Sequence, residues 1–247
     1  MQLYNKLSNE ERAILIKKAN EKRLTLSFYK YHHIGNVEIF RNHLFVNFDS
    51  LQVLGRIYVA KEGINAQLSI PAKKIENLKE FLNSIIFLKN IRLNVGIEHN
   101  DESFLKLKIK VKDKIVADGL GPNDYDIENS GTHLNAKEFN DLLGKPETIT
   151  IDMRNHYESE IGHFKGAICP DVDTFRDSLP LINKKFNFAK TKNNILMYCT
   201  GGIRCEKASS YLKQNGYKNV FQLKGGIIEY ARQVKKDGLE NKFLGKN

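Results

Sequence analysis

The segment ILMYCTGGIRCEKASSYLKQNG, residues 195–216, decides the fold of the second half of the chain. An apolar, β-rich run ends at Tyr198, a short loop with two glycines follows, and a helical pattern begins near Cys205. In open α/β sheets, ligands bind beyond the carboxyl ends of the strands, where this loop must lie. Around it, short strands alternate with helices, which indicates a parallel sheet with helices on both faces. The strands are predicted at 148–152, 194–198 and 220–223, and the helices at 134–143, 205–216 and 226–235.

The loop that begins at Cys199 has the features of an anion site. Gly201 and Gly202 allow successive backbone N–H groups to converge on one point, and the following helix adds its positive N-terminal end. Arg204 adds a fixed cation, so Cys199 is predicted to be a thiolate and a nucleophile at neutral pH. A buried structural cysteine is the alternative interpretation. Only four residues separate Cys199 from Arg204, one fewer than in cysteine phosphatases, and the smaller ring suits a persulfide sulfur better than a phosphate.

CTGGIR resembles the active-site loop of rhodanese domains, and the flanking motifs follow in rhodanese order. The resemblance extends over residues 5–235 to one family, the bacterial rhodanese-containing tRNA uridine-34 hydroxylases. The blocks that carry it are GRIYVAKEGINAQLS (55–69), KLKIKVKDKIVADGL (106–120), DMRNHYESEIGHFKGAICPDVDTFRDSLP (152–180) and MYCTGGIRCEKAS (197–209). Members of this family often carry a Cys-rich C-terminal extension, whereas no cysteine follows Cys205 in this sequence.

The resemblance implies an oxidoreductase that makes 5-hydroxyuridine at the wobble position, 34, of tRNA. Molecular oxygen would be the co-substrate, the tRNA anticodon loop the partner, and a persulfide on Cys199 the intermediate. The implied catalytic residues are Cys199 and Arg204, and the implied active-site loop is Thr200, Gly201, Gly202 and Ile203. The loop chemistry by itself also fits a sulfurtransferase that passes persulfide sulfur to a small acceptor or to a tRNA-thiolation pathway.

Three further residues are supporting candidates. Cys205 could resolve a persulfide or sulfenate on Cys199 by forming a disulfide, or could simply pack in the first helical turn. Asp152 and Arg154 fall at the end of a strand, where they form either a structural salt bridge or part of the loop mouth. The sequence has no metal-ligand spacing and no dinucleotide or flavin fingerprint, so we predict no metal and no flavin.

The first half of the chain has a different pattern. A helix over 8–22, with a capping box of Ser8 and Glu11, precedes the order β, α, β, β, α, β. That order predicts an α+β, ferredoxin-like (acylphosphatase-like) domain. A stretch rich in Gly, Pro, Asn and Asp predicts a linker. The expected division is a domain over 1–120, a linker over 121–133, and an α/β rhodanese domain with a parallel sheet and a C-terminal helix over 134–247.

The chain is basic, with a formal net charge of +10 among 247 residues. Residues 1–120 carry 20 basic and 13 acidic side chains, against 19 and 16 in the remainder, so we expect the first half to bind tRNA. Alternating lysines on a predicted strand lie on one face of it. Such a face could bind RNA, but it could also be a solvent-exposed face or an edge strand whose charges prevent aggregation. The candidate RNA-binding residues are Lys106, Lys108, Lys110, Lys112, Arg56 and Lys61, and Phe28, Tyr29 and Tyr31 are candidates for base stacking.

Other classes of protein fit poorly. No apolar run approaches the roughly 20 residues of a membrane span. Three cysteines are too few for a disulfide scaffold, which favours a reducing, cytoplasmic location. No feature of the sequence fixes an oligomeric state.

Overall fold

The chain divides into two compact units, Met1–Ile115 and Val116–Asn247. The computed structural model describes residue 3 and the ranges 8–19, 21–96 and 104–245. The stretch 121–133, predicted as a linker, lies inside the second unit. There the Ser209 hydroxyl accepts a hydrogen bond of 2.8 Å from the Gly131 N–H, and the Ser210 hydroxyl donates to the Asp126 carbonyl. A sequence rich in Gly and Asn indicates irregular backbone. Such backbone can pack within a domain and need not connect two domains.

The first unit contains a five-stranded sheet with the order β4-β1-β3-β2-β5. β1 and β2 both pair antiparallel with β3, and β5 pairs parallel with β2. The order β4-β1-β3-β2 is the predicted ferredoxin-like arrangement, to which β5 adds an edge. The elements are α1 (Asn9–Ala19), β1 (Arg23–Tyr31), α2 (Val37–Ser50), β2 (Leu54–Ala60), β3 (Gly63–Pro71), α3 (Ile75–Ser84), β4 (Asn94–Val95) and β5 (Leu107–Val111).

One face of this sheet forms the core of the unit. Alternate strand residues, such as Phe28, Ile57 and Ile109, pack with Phe48 of α2 and Leu82 of α3. The prediction that Phe28 stacks on a base is therefore wrong, because its ring is buried in this core. Successive side chains of a strand point to opposite faces of the sheet. The residues on either side of Phe28, Ile57 and Ile109 therefore point away from these helices. Both helices lie on one side of the sheet.

Several local predictions for the first unit can be compared with the structure. The Ser8 and Glu11 capping box is present, but α1 ends at Ala19 and not at residue 22. The last strand of the predicted order, β4, has only two residues. A 3-10 turn, Ala72–Lys74, lies between Pro71 at the end of β3 and the start of α3.

The second unit contains a four-stranded sheet with the order β6-β10-β9-β7, parallel throughout. Helices α6 and α7 cover one face and α4 and α8 the other. Helices on both faces were predicted, but α6 was not among them. A small antiparallel pair, β8 and β11, was not predicted. The elements are β6 (Thr132–Leu134), α4 (Ala136–Leu142), β7 (Thr148–Asp152), α5 (His156–Ile161), β8 (Gly162–Phe164), α6 (Phe175–Lys185), β9 (Asn194–Tyr198), α7 (Ile203–Gln214), β10 (Asn219–Leu223), α8 (Gly226–Asp237) and β11 (Phe243–Gly245).

Leu134 is the last residue of β6, whereas the sequence predicted it in the helix. Asn135 starts α4 instead, because its side chain accepts from the Glu138 N–H while the Glu138 carboxylate accepts from the Asn135 N–H. Among the described residues, no helix combines the length and the apolar character that crossing a membrane requires.

Candidate active site

The loop after β9 is held between two helices. Gly202 begins α7 with φ +103°, a left-handed conformation that glycine adopts readily. Gly226, at the start of α8, has φ +65°, and a Cβ there would lie 2.4 Å from the carbonyl oxygens of both Cys199 and Thr200. The Ile227 N–H donates to the Cys199 carbonyl at 3.0 Å. The absence of a side chain at Gly226 thus lets α8 press against the loop and fix its backbone.

Hydrogen-bond donors surround the Cys199 sulfur. The Gly202 N–H donates to Sγ at 3.1 Å, and the Cys205 N–H and S–H groups donate to it as well. Burial, which is complete, would raise the pKa of Cys199, but the Cys205 donors and the Arg204 charge outweigh burial and lower it to about 6. At neutral pH this arrangement favours a thiolate, the nucleophilic form of cysteine.

Cys205 has the opposite electrostatic character. Its thiol is completely buried, and burial together with the neighbouring Cys199 sulfur raises its pKa well above the usual value. Cys205 therefore remains a neutral S–H donor while Cys199 carries the charge. The two sulfurs form an unequal pair, with one acceptor and one donor.

Arg204 is not an isolated cation beside the loop. Its guanidinium binds the Glu158 carboxylate through two hydrogen bonds, of 2.6 and 2.9 Å, and Thr200 Oγ1 donates to the same carboxylate at 2.9 Å. Burial favours neutral Glu158, but the Arg204 contacts prevail and lower the pKa of Glu158, and Glu158 in turn raises the pKa of Arg204. Glu158 thus fixes the two ends of the loop, Thr200 and Arg204, relative to each other.

Glu158 was missed as a site residue by sequence reasoning. It also caps α5, because its carboxylate accepts from the Asn155 N–H at 3.0 Å. The spacing of Asn155 and Glu158 could have identified a capping box. Nothing local could have identified the pairing with Arg204, since the two residues are 46 positions apart.

Asp152 and Arg154 form a buried ion pair at the end of β7, with Nη2 and Oδ2 2.7 Å apart. Arg154 also donates to the Gly162 carbonyl and lies 5.7 Å from the centre of the Tyr198 ring. The Met153 N–H donates to the Tyr198 carbonyl at 2.8 Å. The pair therefore fixes the strand ends around Tyr198, the residue directly before Cys199.

A second buried ion pair supports the other side of α7. Lys207 and Asp118 are fully buried, with Nζ and Oδ2 3.0 Å apart. Lys207 Nζ also lies 3.6 Å from the centre of the Tyr125 ring. Sequence reasoning missed this pair too, although Lys207 belongs to the quoted CTGGIRCEKAS block.

The predicted RNA-binding residues all belong to the first unit. Lys108 and Lys110 lie in β5 and are exposed, and Arg56, opposite Lys108 in β2, is exposed on the same face. Lys106 and Lys112 flank β5 and lie outside the strand itself, the first half-buried and the second exposed. Lys61, also exposed, lies in the turn between β2 and β3.

No group of three or more His, Cys, Asp or Glu side chains that could hold a metal ion occurs in the part of the chain that the structure describes. The three cysteines, Cys169, Cys199 and Cys205, are all free thiols.

Comparison with known proteins identifies both units. Residues 23–115 match the UPF0176 acylphosphatase like domain, and residues 135–233 match the rhodanese-like domain. The tRNA uridine(34) hydroxylase of Photorhabdus laumondii is 48% identical over 99% of this chain and 70% of its own length. The chain belongs to the tRNA uridine(34) hydroxylase family. The predicted fold classes of both halves are thereby confirmed.

Other similar proteins differ in how much of their length the chain covers. The tRNA uridine(34) hydroxylase of Leptospira interrogans is 51% identical over 94% of this chain and 63% of its own length. The tRNA uridine(34) hydroxylase of Yersinia enterocolitica is 49% identical over 99% of this chain and 70% of its own length. Among solved structures, a rhodanese-like domain from Anabaena sp. is 22% identical, with a TM-score of 0.37, over 46% of this chain and 79% of its own.

Proposed function

We propose that this protein hydroxylates uridine 34 of tRNA to 5-hydroxyuridine, with molecular oxygen as co-substrate and Cys199 as the essential residue. One oxygen atom enters the base, and a two-electron donor reduces the other to water. The observation that carries the proposal is the Cys199 sulfur, which accepts a hydrogen bond of 3.1 Å from the Gly202 N–H. Although burial would raise its pKa, the neighbouring Cys205 and Arg204 lower it to about 6. Its family relatives carry the name of this activity. The reaction belongs in the cytoplasm, where tRNA is modified.

The chemistry that suits Cys199 is formation of a persulfide. Its thiolate attacks the outer sulfur of a sulfane donor, R–S–SH. A bond forms between Sγ and that sulfur, the donor S–S bond breaks, and RS⁻ leaves. Arg204 and the N–H groups of Gly202 and Cys205 stabilise negative charge on the sulfur, as an anion nest does.

Cys205 has a defined role in this scheme. The Cys205 proton passes to the outer sulfur of the Cys199 persulfide as the Cys205 sulfur attacks Sγ. The bond between Sγ and the outer sulfur breaks, a Cys199–Cys205 disulfide forms, and hydrogen sulfide leaves. The contact between the Cys205 S–H and Cys199 supports this proposal. Disulfide formation would remove a Cys199 persulfide that has formed without a tRNA substrate in place.

The first unit supplies the tRNA contacts in this proposal. Lys108, Lys110 and Arg56 are exposed, and phosphate neutralisation by such side chains gives sequence-independent affinity. Lys106, Lys112 and Lys61 extend the same basic surface. The anticodon loop is the part of the tRNA that must reach the enzyme, because position 34 lies there.

The proposal is tested with a deletion strain complemented by variants, followed by mass spectrometry of tRNA nucleosides. Cys199→Ala should abolish 5-hydroxyuridine, because no other described residue offers an activated thiolate. Cys169→Ala is the matched control and should retain the nucleoside, since Cys169 has a raised pKa and is only half-buried. Full 5-hydroxyuridine in the Cys199→Ala strain would refute the assignment. Normal thiosulfate turnover in a protein that makes no 5-hydroxyuridine would favour the sulfurtransferase alternative.

A further inference from the structure

The sheet of the first unit has a second face, directed away from its helices. Pairing places Tyr29 beside Asn65, Asn65 beside Tyr58, and Tyr58 beside Lys110. These four residues form a row across four strands, each turned away from the core. A second row runs parallel to it and consists of Ser27, Gln67, Arg56 and Lys108. We call these two rows the outer face.

The outer face combines accessible rings with positive charge. Arg56, Lys108 and Lys110 are exposed, while Tyr29 and Tyr58 are half-buried, and the Tyr29 ring also makes an edge contact with Tyr31. Neither row contains a carboxylate, although the unit has acidic residues elsewhere. An anionic ligand would thus meet cations and rings along the two rows, and the nearby Glu62 carboxylate already accepts a hydrogen bond from the Ile115 N–H at 2.8 Å.

The centre of the outer face is fixed by its own hydrogen bonds. The Gln67 side-chain amide donates to Asn65 Oδ1 at 2.6 Å, and the Asn65 amide donates to the Ile115 carbonyl at 3.1 Å. Asn65 therefore donates one hydrogen bond and accepts one within the protein. The rings on either side of it, Tyr29 and Tyr58, are two strand spacings apart, about 10 Å.

We propose that the outer face binds a single-stranded segment of RNA, with bases stacked on Tyr58 and Tyr29 and phosphates paired with Arg56, Lys108 and Lys110. Unstacked bases pack on aromatic rings of an open sheet, whereas bases inside a duplex are not available to them. This inference rests on the proposed function for the identity of the RNA, the tRNA anticodon loop. Recognition there is tolerant of sequence, because stacking uses the face of a base and not its edge.

Two kinds of variant separate stacking from charge. Stacking on one ring is worth about 1–3 kcal/mol, so Tyr58→Leu should weaken binding by roughly 5- to 150-fold, and Tyr29→Leu similarly. Tyr58→Phe keeps the ring and should bind as the unaltered protein does. The Leu variants should leave the salt dependence unchanged. A Lys108→Ala/Lys110→Ala double variant should lower the slope of log affinity against log salt concentration by about 1.4, since each phosphate contact on a single strand contributes about 0.7.

The experiment measures binding of the full chain to a fluorescent anticodon stem-loop RNA and to a fully duplex RNA of equal length, across a range of salt. Phe188→Leu is the matched control, because Phe188 is an exposed ring in the second unit, and it should change nothing. Melting curves verify that each variant is folded. If Tyr58→Leu does not fold, Tyr29→Leu and the lysine variant still decide the question.

Four outcomes would overturn the proposal: unchanged affinity in both Leu variants, equal loss in Tyr58→Phe, duplex binding as tight as stem-loop binding, or complete competition by an acidic peptide at equal concentration. Failure of the proposed function is separable from these. A protein that binds the stem-loop through Tyr58 but makes no 5-hydroxyuridine would retain the outer face as an RNA site and lose only the catalytic assignment.

Discussion

At the scale of single residues, the site depends on an asymmetry between two sulfurs. Cys205 stays protonated and donates to Cys199, which carries the charge. A thiol that was expected either to resolve a persulfide or to pack therefore has a third property, control of its neighbour's ionisation. This property depends on the S–H donor and not on the size of the side chain.

Cys205→Ala should raise the pKa of Cys199 above about 6, because the largest stabilising donor to the thiolate is lost. A raised pKa means less thiolate at a given pH, so the titration midpoint moves to higher pH. Cys205→Ser restores a donor and should keep the midpoint low. The measurement is ultraviolet thiolate absorbance against pH, with Cys199→Ser as the blank. An unchanged midpoint in Cys205→Ala would show that Gly202 and Arg204 suffice.

The Cys199 loop could be predicted from the sequence because its parts are contiguous: strand, two glycines, arginine and the start of a helix follow one another between residues 195 and 205. Glu158 could not be predicted in the same way. Its partner Arg204 is 46 residues away, and only the three-dimensional packing of α5 against the loop brings them together. The same holds for Asp118 and Lys207.

At the scale of elements, the contact between the start of α8 and the Cys199 loop is set by the missing side chain of Gly226. The helix pattern after Gly225-Gly226 was evident in the sequence, but the reason for the second glycine was not. The reason is steric, because a methyl group at this position would lie only 2.4 Å from two carbonyl oxygens of the loop. Close approach, and not only backbone freedom, requires glycine there.

Gly226→Ala should therefore destabilise the protein by about 3 kcal/mol or more, because it adds a backbone clash to an unfavourable φ. Gly238, at the other end of α8, is a matched control. Its φ is +64° but no atom lies within 4 Å of its Cβ position, so Gly238→Ala should cost only about 1 kcal/mol. Urea unfolding of the two variants measures the difference. Equal costs would mean that the loop moves aside freely.

Short or irregular elements were the least predictable. α6 contains Pro180, which argues against a helix in sequence terms, yet its Leu179 and Ile182 complete the core beside α7. β8 and β11 have three residues each, too few for an alternating pattern to be recognised. α6 is stabilised by burial against the core, and β8 and β11 are stabilised by pairing with each other. Neither kind of contact can be recognised from the local sequence.

At the scale of the whole molecule, the boundary between the units lies at Ile115 and not at residue 120. The position has an energetic reason, because Asp118 neutralises the fully buried Lys207. Removing one partner of a buried ion pair costs about 3–5 kcal/mol. That is a large part of the roughly 5–15 kcal/mol that stabilises a typical domain.

A fragment of residues 116–247 should therefore fold cooperatively, whereas 134–247, the span predicted from the sequence, should not. The shorter fragment loses Asp118 and most of β6. Circular dichroism with thermal melting compares them, and Asp118→Asn in the longer fragment should give an intermediate stability. A cooperative melt of 134–247 equal to that of 116–247 would contradict this view of the boundary.

The complete burial of Cys199 limits how closely a substrate can approach its sulfur. A uracil ring cannot touch an atom that lies wholly beneath the surface. A second sulfur bonded to Sγ stands about 2 Å further out. Because α7 and α8 hold the Cys199 loop in place, a persulfide would place a reactive sulfur closer to the protein surface than Sγ itself.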